Sequence, residues 1–133
     1  MEGFLFPTFM LIKSFLKENK KHKSGFISII GNPNVGKSTL LNALIGTDLS
    51  IITSKAQTTR HRILGILNDK DYQMVFSDTP GVIKPLYEMQ NSMMSFVKES
   101  LNDADILILV VTVDNIKLKE EKLFDRIKKS KAP

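Results

Sequence analysis

Eight consecutive residues carry the clearest chemistry in this chain: Gly31-Asn32-Pro33-Asn34-Val35-Gly36-Lys37-Ser38, with Thr39 next. Glycine, four residues, then Gly-Lys-Ser is the spacing of a loop whose successive backbone N–H groups curl around phosphate oxygens. Glycine is required because a side chain would hold the phosphate away. Lys37 can reach the β- and γ-phosphates, and the Ser38 hydroxyl is a hard oxygen ligand suited to Mg²⁺. A helix starting here would add the partial positive charge of its N-terminus.

A second group, Asp78-Thr79-Pro80-Gly81, follows the apolar run that ends at Phe76 and Ser77. Asp, two residues, Gly is a common turn and means little by itself. After a strand next to a phosphate loop, however, such an acid faces Mg²⁺, and the glycine can offer its N–H to a γ-phosphate. Between the two groups lies Lys55-Ala56-Gln57-Thr58-Thr59-Arg60-His61-Arg62. Its two hydroxyls can include a second Mg²⁺ ligand in a switch segment, although two threonines are more often strand-edge residues. Arg60, His61 and Arg62 can meet phosphate or RNA, and a solvated face accounts for them equally well.

These residues need a sheet and helices to hold them. Phe26–Ile30 is a short, mostly β-branched run ending in Gly31, which predicts a buried strand entering a tight loop. Leu40, Leu41, Leu44 and Ile45 fall on one helical stripe, with Gly46 placed to cap it. Asp48–His61 has neither period and is expected to be an extended loop. Ile63–Leu67 and Tyr72–Phe76 read as strands of a hairpin turning through Asn68–Asp71. Leu86, Met89, Met93, Met94, Val97 and Leu101 predict a helix. Asp105–Val113 predicts a parallel strand covered on both faces, and a last helix carrying Leu123, Phe124 and Ile127 should reach the C-terminus. Alternating strands and helices predict an α/β sheet with right-handed crossovers.

At 133 residues the chain suits one domain, with 42% hydrophobic and 25% charged residues as in globular proteins. The absence of cysteine excludes a disulfide framework, a thiolate metal site and a cysteine nucleophile, and fits a cytoplasmic setting. The net charge of +5 is concentrated at the ends, residues 13–23 and 117–131, and by itself implies no RNA site. Residues 1–23, with Phe4, Leu5, Phe6, Phe9, Met10, Leu11, Ile12, Phe15 and Leu16, are too short and too interrupted for a membrane span or a signal peptide. They read as an extension, loosely ordered or set by a misplaced start site. A short amphipathic helix touching the inner membrane peripherally is the alternative.

With the three motifs in order, the chain from about Ser24 onward resembles the G domain of the bacterial Era-type GTPases. GNPNVGKSTLLNAL, KAQTTRHRILGI and FSDTPGVIKP carry the resemblance, Gln57–Arg62 most distinctively. It implies a P-loop NTPase fold of the Ras-like kind: a mostly parallel sheet with one antiparallel edge hairpin. Residues 24–133 are then expected to be a partial G domain that stops before its last strands and before the Asn-Lys-x-Asp segment that reads guanine. The family's C-terminal KH domain is also expected to be missing. The resemblance further implies a GTP-hydrolysing switch that binds GTP or GDP with Mg²⁺. Through the KH domain it binds small-subunit ribosomal RNA and acts in ribosome assembly, here as a monomer.

Carried over residue by residue, the resemblance gives nucleotide contacts to Gly31, Asn32, Pro33, Asn34, Val35, Gly36, Lys37, Ser38 and Thr39, and to Asp78, Thr79, Pro80, Gly81 and Val82. Mg²⁺ falls to Ser38, Thr59 and Asp78, with Thr58 as second choice for Thr59. Hydrolysis would depend on Asn34, Lys37, Thr59 and Gly81. Val82 stands where Ras-like enzymes place a water-orienting Gln, and it has no proton chemistry; in related GTPases of this kind the residue matching Asn34 helps bind K⁺. Activity and guanine selectivity of the chain alone are expected to be low. Two rivals remain at this point: an ATP-using P-loop kinase, and a membrane or RNA module with a vestigial nucleotide site.

Overall fold

The computed structural model describes residues 21–48 and 59–133. The proposed extension up to residue 20, most of the Asp48–His61 loop and Thr58 lie outside the described residues. Seven elements follow in order: β1 (Lys23–Gly31), α1 (Lys37–Ile45), β2 (Ile63–Asn68), β3 (Tyr72–Asp78), α2 (Glu88–Asp103), β4 (Ile106–Val110) and α3 (Glu121–Lys128).

The strands form one sheet in the order β2-β3-β1-β4. β1 lies parallel to both neighbours, with Ile29 opposite Asp78 and Gly31 opposite Val110. The β2–β3 pair is antiparallel, as expected of the hairpin, and places Ile63 opposite Asp78. Both motif-bearing strands, β1 and β3, therefore deliver their C-terminal ends to the same edge of the sheet.

Strand alternation sorts the core into two layers. Ile27 and Ile29 face α1, packing with Leu41, Leu44, Tyr72, Met74 and Phe76. Ile30 faces the other way, into Val82, Ile83, Met93, Met94, Val97, Leu101, Leu118 and Leu123 from α2, α3 and their approaches. Met93, Val97 and Leu101 recur every four residues, the spacing that puts one helix face on a sheet, and each fully buried side chain of this size contributes roughly 1.5–3 kcal/mol. Gly46 caps α1 in the left-handed region, as anticipated, with φ 83°.

Several expected boundaries differ. β1 begins at Lys23, ahead of Phe26, because Lys23 N–H donates to Asp71 O at 3.0 Å and pairs the strand with β3, and β3 itself runs past Phe76 to Asp78. The helix predicted from Leu86 begins at Glu88, because Tyr87 is extended (φ −150°, ψ 169°); the exposed Leu86 donates its N–H to the Gln90 side chain at 2.8 Å. The β4 strand stops at Val110, short of Val113. There Asp114 and Asn115 favour a turn, which the Asn115 N–H to Thr112 O bond of 3.1 Å closes, leaving Val113 fully exposed. Nor is β4 covered on both faces: every residue in it is only half-buried, as suits its place at the end of the strand order. α3 ends at Lys128, not at the C-terminus, and the Pro133 carbonyl accepts from Leu107 N–H at 2.9 Å on the outer side of β4.

Candidate functional site

The loop between β1 and α1 is shaped by close approach. A Cβ at Gly31 would collide with the Val110 carbonyl oxygen and lie 2.9 Å from Val35 Cγ2. Asn34 and Gly36 both have positive φ, 59° and 99°, so the backbone curls through left-handed positions immediately before α1. Such a curl turns successive N–H groups toward one point, and α1 opens with no acidic residue in its first turn and a capping position without a side chain. Thr39 sits half-buried in that first turn.

Lys37 is buried, and its Nζ donates to the Asn32 carbonyl at 2.9 Å. Burial pushes its ammonium from the ordinary 10.5 down to about 8, with the Asp78 carboxylate pulling partly the other way. Beside it the Ser38 hydroxyl donates to Asp78 Oδ2 at 2.7 Å and lies 3.1 Å from the Thr59 hydroxyl. Lys37 and Ser38, Thr59, and Asp78, from three separate stretches of the sequence, thus converge on one spot. Two hydroxyls and a fully buried carboxylate are hard oxygen donors, the set that suits Mg²⁺.

The segment after Asp78 is locked against the phosphate loop. Thr79 is buried, with its hydroxyl donating to Ile29 O at 3.0 Å, and Val82 N–H donates to Gly31 O at 2.8 Å. A Cβ at Gly81 would lie 2.7 Å from Pro33 N, Cα and Cγ. Pro80 is buried as well. The Val82 side chain is fully buried and packs in the α2-side core, the packing role that an apolar residue at this position suggests.

Two placements escaped sequence reasoning. The Asn32 side chain donates to Lys117 O at 2.8 Å and accepts from Lys119 N–H at 2.9 Å, tying the phosphate loop to the approach to α3. Arg62 is half-buried and neither solvated nor aimed at the phosphate loop: its Nε donates to Ser77 Oγ at 2.8 Å and its Nη1 to Asp103 Oδ2 at 2.6 Å. His61 is exposed, with its ring 5.6 Å from that of Phe96. One signal pointed to a polar cluster there: Ser100 is a polar residue on the buried stripe of α2 and needs a partner, which is Ser77 Oγ at 2.9 Å, itself the acceptor for Arg62 Nε.

The model of a family described as 50S ribosome-binding GTPase matches residues 26–133. A GTPase Era from Clostridium acetobutylicum is 46% identical over 84% of this chain and 38% of its own length. A chloroplastic GTPase ERA-like protein from Oryza sativa subsp. japonica is 50% identical over 68% of this chain and 22% of its own. A crystal structure of Era in complex with MgGDPNP and nucleotides 1506–1542 of 16S ribosomal RNA superposes with a TM-score of 0.74 at 40% identity, covering 81% of this chain and 37% of that one. The chain spans well under half the length of these relatives, and the fold they share with it is the Ras-like P-loop G domain. By sequence match and by fold, it belongs to the 50S ribosome-binding GTPase family, in its Era type.

Proposed function

We propose that this chain is the phosphate-gripping part of a GTP-hydrolysing molecular switch that acts in small-subunit ribosome assembly. The observation that carries the reading is the meeting of Lys37, Ser38, Thr59 and Asp78 at the C-terminal ends of two adjacent parallel strands. In this reading backbone N–H groups between Asn34 and Thr39 cradle the α- and β-phosphates, and the Lys37 ammonium gives up its bond to Asn32 O to meet the β- and γ-oxygens. Mg²⁺ would be held by Ser38 and Thr59, with Asp78 behind them, and would neutralise charge on the bridging phosphate oxygens. Gly81 N–H approaches the γ-phosphate, its position fixed by contact with Pro33. Thr79, Pro80 and Val82 hold that segment in place, with Val82 in the core. GTP keeps Thr59 and Gly81 engaged, and GDP releases both.

Hydrolysis then rests on positioning and charge, without a proton acceptor at Val82. Asn34, exposed at the tip of the loop with φ 59°, is where a K⁺ ion would add charge. Rates equal in K⁺ and Na⁺, or a K⁺ preference that survives Asn34→Ala, would remove that part. The expected division into an extension over 1–23 and a G domain over 24–133 shifts by one residue, because Lys23 is the first residue of β1; the G domain is then read as residues 23–133. Guanine preference and ribosomal RNA as partner follow from the relatives' names, and the protein is read as a cytoplasmic monomer, with peripheral membrane contact through the N-terminal extension as the alternative to a loosely ordered tail. The test is calorimetric titration of the full-length protein with Mg²⁺ and either GTP or ATP. Selective GTP binding that Lys37→Ala abolishes supports the proposal, and equal binding of both nucleotides sinks the guanine assignment.

A further inference from the structure

Thr59 approaches Ser38 from a loop, and what holds that loop in place lies on the α2 face of the sheet, opposite α1. Arg62, three residues later, enters a polar cluster beneath β3. Its Nε donates to Ser77 Oγ, whose oxygen is 2.9 Å from Ser100 Oγ on α2, and Ser28 Oγ on β1 donates to the Ser100 carbonyl at 2.7 Å. Ser28, Ser77 and Ser100 are all fully buried. The outer arm of the same guanidinium forms an ion pair with Asp103 at 2.6 Å, while its Nη2 is buried with no partner among the described residues. One residue earlier, the His61 ring rests on Phe96.

The three α2 residues concerned, Phe96, Ser100 and Asp103, are spaced four and three apart. They therefore form one stripe on the helix. A planar guanidinium that reaches two partners in different directions fixes orientation in a way a lysine ammonium cannot. Ser77 also immediately precedes Asp78, so one side chain bears on both loops that meet at Ser38.

We infer that Arg62, clamped between Ser77 and Asp103 with the His61 ring tilted against Phe96, is a positioning residue that holds Thr59 in reach of Ser38 and so favours the triphosphate-bound state. The inference rests on the GTP-switch reading above and adds to it the device that sets the switch. A purely structural arginine would affect both nucleotide states alike. A positioning arginine affects the state in which Thr59 is engaged.

The test uses the full-length protein, with Mg²⁺-GDP and a non-hydrolysable Mg²⁺-GTP analogue titrated into wild type, Arg62→Met, Arg62→Lys and Asp103→Asn, each checked for folding by its thermal transition. Arg62→Met should bind the triphosphate analogue about tenfold more weakly, the size expected when an outer-shell partner is lost, while GDP affinity stays within about twofold. Arg62→Lys should recover only part of the loss. Asp103→Asn lies at the exposed end of the cluster and keeps the assay informative if Arg62→Met does not fold; it should shift the same ratio in the same direction by about two- to threefold. Equal losses for the two nucleotides, or an unchanged ratio in both Arg62→Met and Asp103→Asn, would overturn the positioning role and leave the switch reading intact. Failure of the wild type to bind either nucleotide would overturn both.

Discussion

Two loops meet at Ser38, and they are held there by different physics. The Asp78–Val82 segment is fixed from within: Asp78, Thr79 and Val82 are fully buried, Thr79 is bonded to β1, and Gly81 is pressed on Pro33. The Thr59–Arg62 segment is held from outside by side chains, with Arg60 and His61 exposed and Arg62 reaching down to Ser77 and Asp103. A segment bonded into a core moves only if the core moves, whereas one held by a side-chain clamp is released when the clamp opens. The difference predicts that, of the two γ-phosphate contacts that GDP releases, Thr59 travels the farther and Gly81 shifts little, so that Gly81 is the reference against which Thr59 closes.

The largest effect should come from removing the charge both loops surround. Lys37→Ala leaves the phosphates without their one side-chain cation in the proposed site, and nucleotide affinity in the full-length protein should fall by at least about a hundredfold, given that bonds to charged groups are each worth about 1.5–3 kcal/mol and Lys37 is placed on two phosphates. Calorimetry on the folded variant measures it, and retained affinity would mean that the loop does not hold phosphate through Lys37.

The same ammonium gives a pH dependence of definite sign. Its folded value is about 8 against an ordinary 10.5, so between these limits the unfolded chain binds more protons. Stability of the nucleotide-free protein should therefore rise with pH from about 8 toward 10, by up to roughly 3 kcal/mol at 1.36 kcal/mol per pKa unit. Above 10 the gain is opposed by Tyr72. Burial raises its pKa first of all, aided by its bond to Asp69, so the folded state keeps a phenol proton that the unfolded chain releases. Urea denaturation from pH 7 to 10, set beside Lys37→Met, isolates the lysine. A wild-type curve parallel to that of the variant would show that Lys37 is not depressed. Phosphates should restore the proton, so nucleotide binding at pH 9 takes one up, visible as a binding heat that changes with the buffer.

The fixed loop can be broken at Gly81. An added Cβ would meet two backbone atoms and one ring atom of Pro33 at 2.7 Å, and none of these can swing aside. Gly81→Ala should cost about 1–3 kcal/mol, the usual range for overpacking, and should weaken nucleotide binding because Pro33 belongs to the phosphate loop. Unchanged stability would mean that the segment after Asp78 is looser than its burial implies.

How much of this could be read in the sequence depends on the range of each interaction. The phosphate loop was legible because its function lies in local backbone geometry, and the strand–helix alternation was legible because burial imposes a period. Asp78 was legible through its position at the end of the apolar run of β3. The Asn32 tie to Lys117 and Lys119 joins residues 85 and 87 apart, and the Arg62 clamp joins residues 15 and 41 apart, so neither leaves a local trace. The β4 boundary failed for another reason: Val111 and Val113 have the residue type of a strand, and a turn after Thr112 takes precedence over that preference.

The smallest expected effect separates holding from stabilising. Asp103 is about half exposed, with a side-chain exposure of 52% against 15% for Arg62, so its ion pair is screened on one side and exposed pairs of this kind contribute only about 0.2–1 kcal/mol. Asp103→Asn keeps a carbonyl oxygen that can still accept from Nη1. Its cost in urea denaturation should therefore stay below about 1 kcal/mol and shrink further in high salt, where the wild-type pair is itself weakened. The inner bond from Arg62 to Ser77 is out of reach of salt, so the clamp should loosen without opening. A stability loss well above 1 kcal/mol, unchanged by salt, would show that Asp103 anchors the end of α2 itself. The two loops would then share one structural support, and the contrast between a fixed and a releasable partner of Ser38 would disappear.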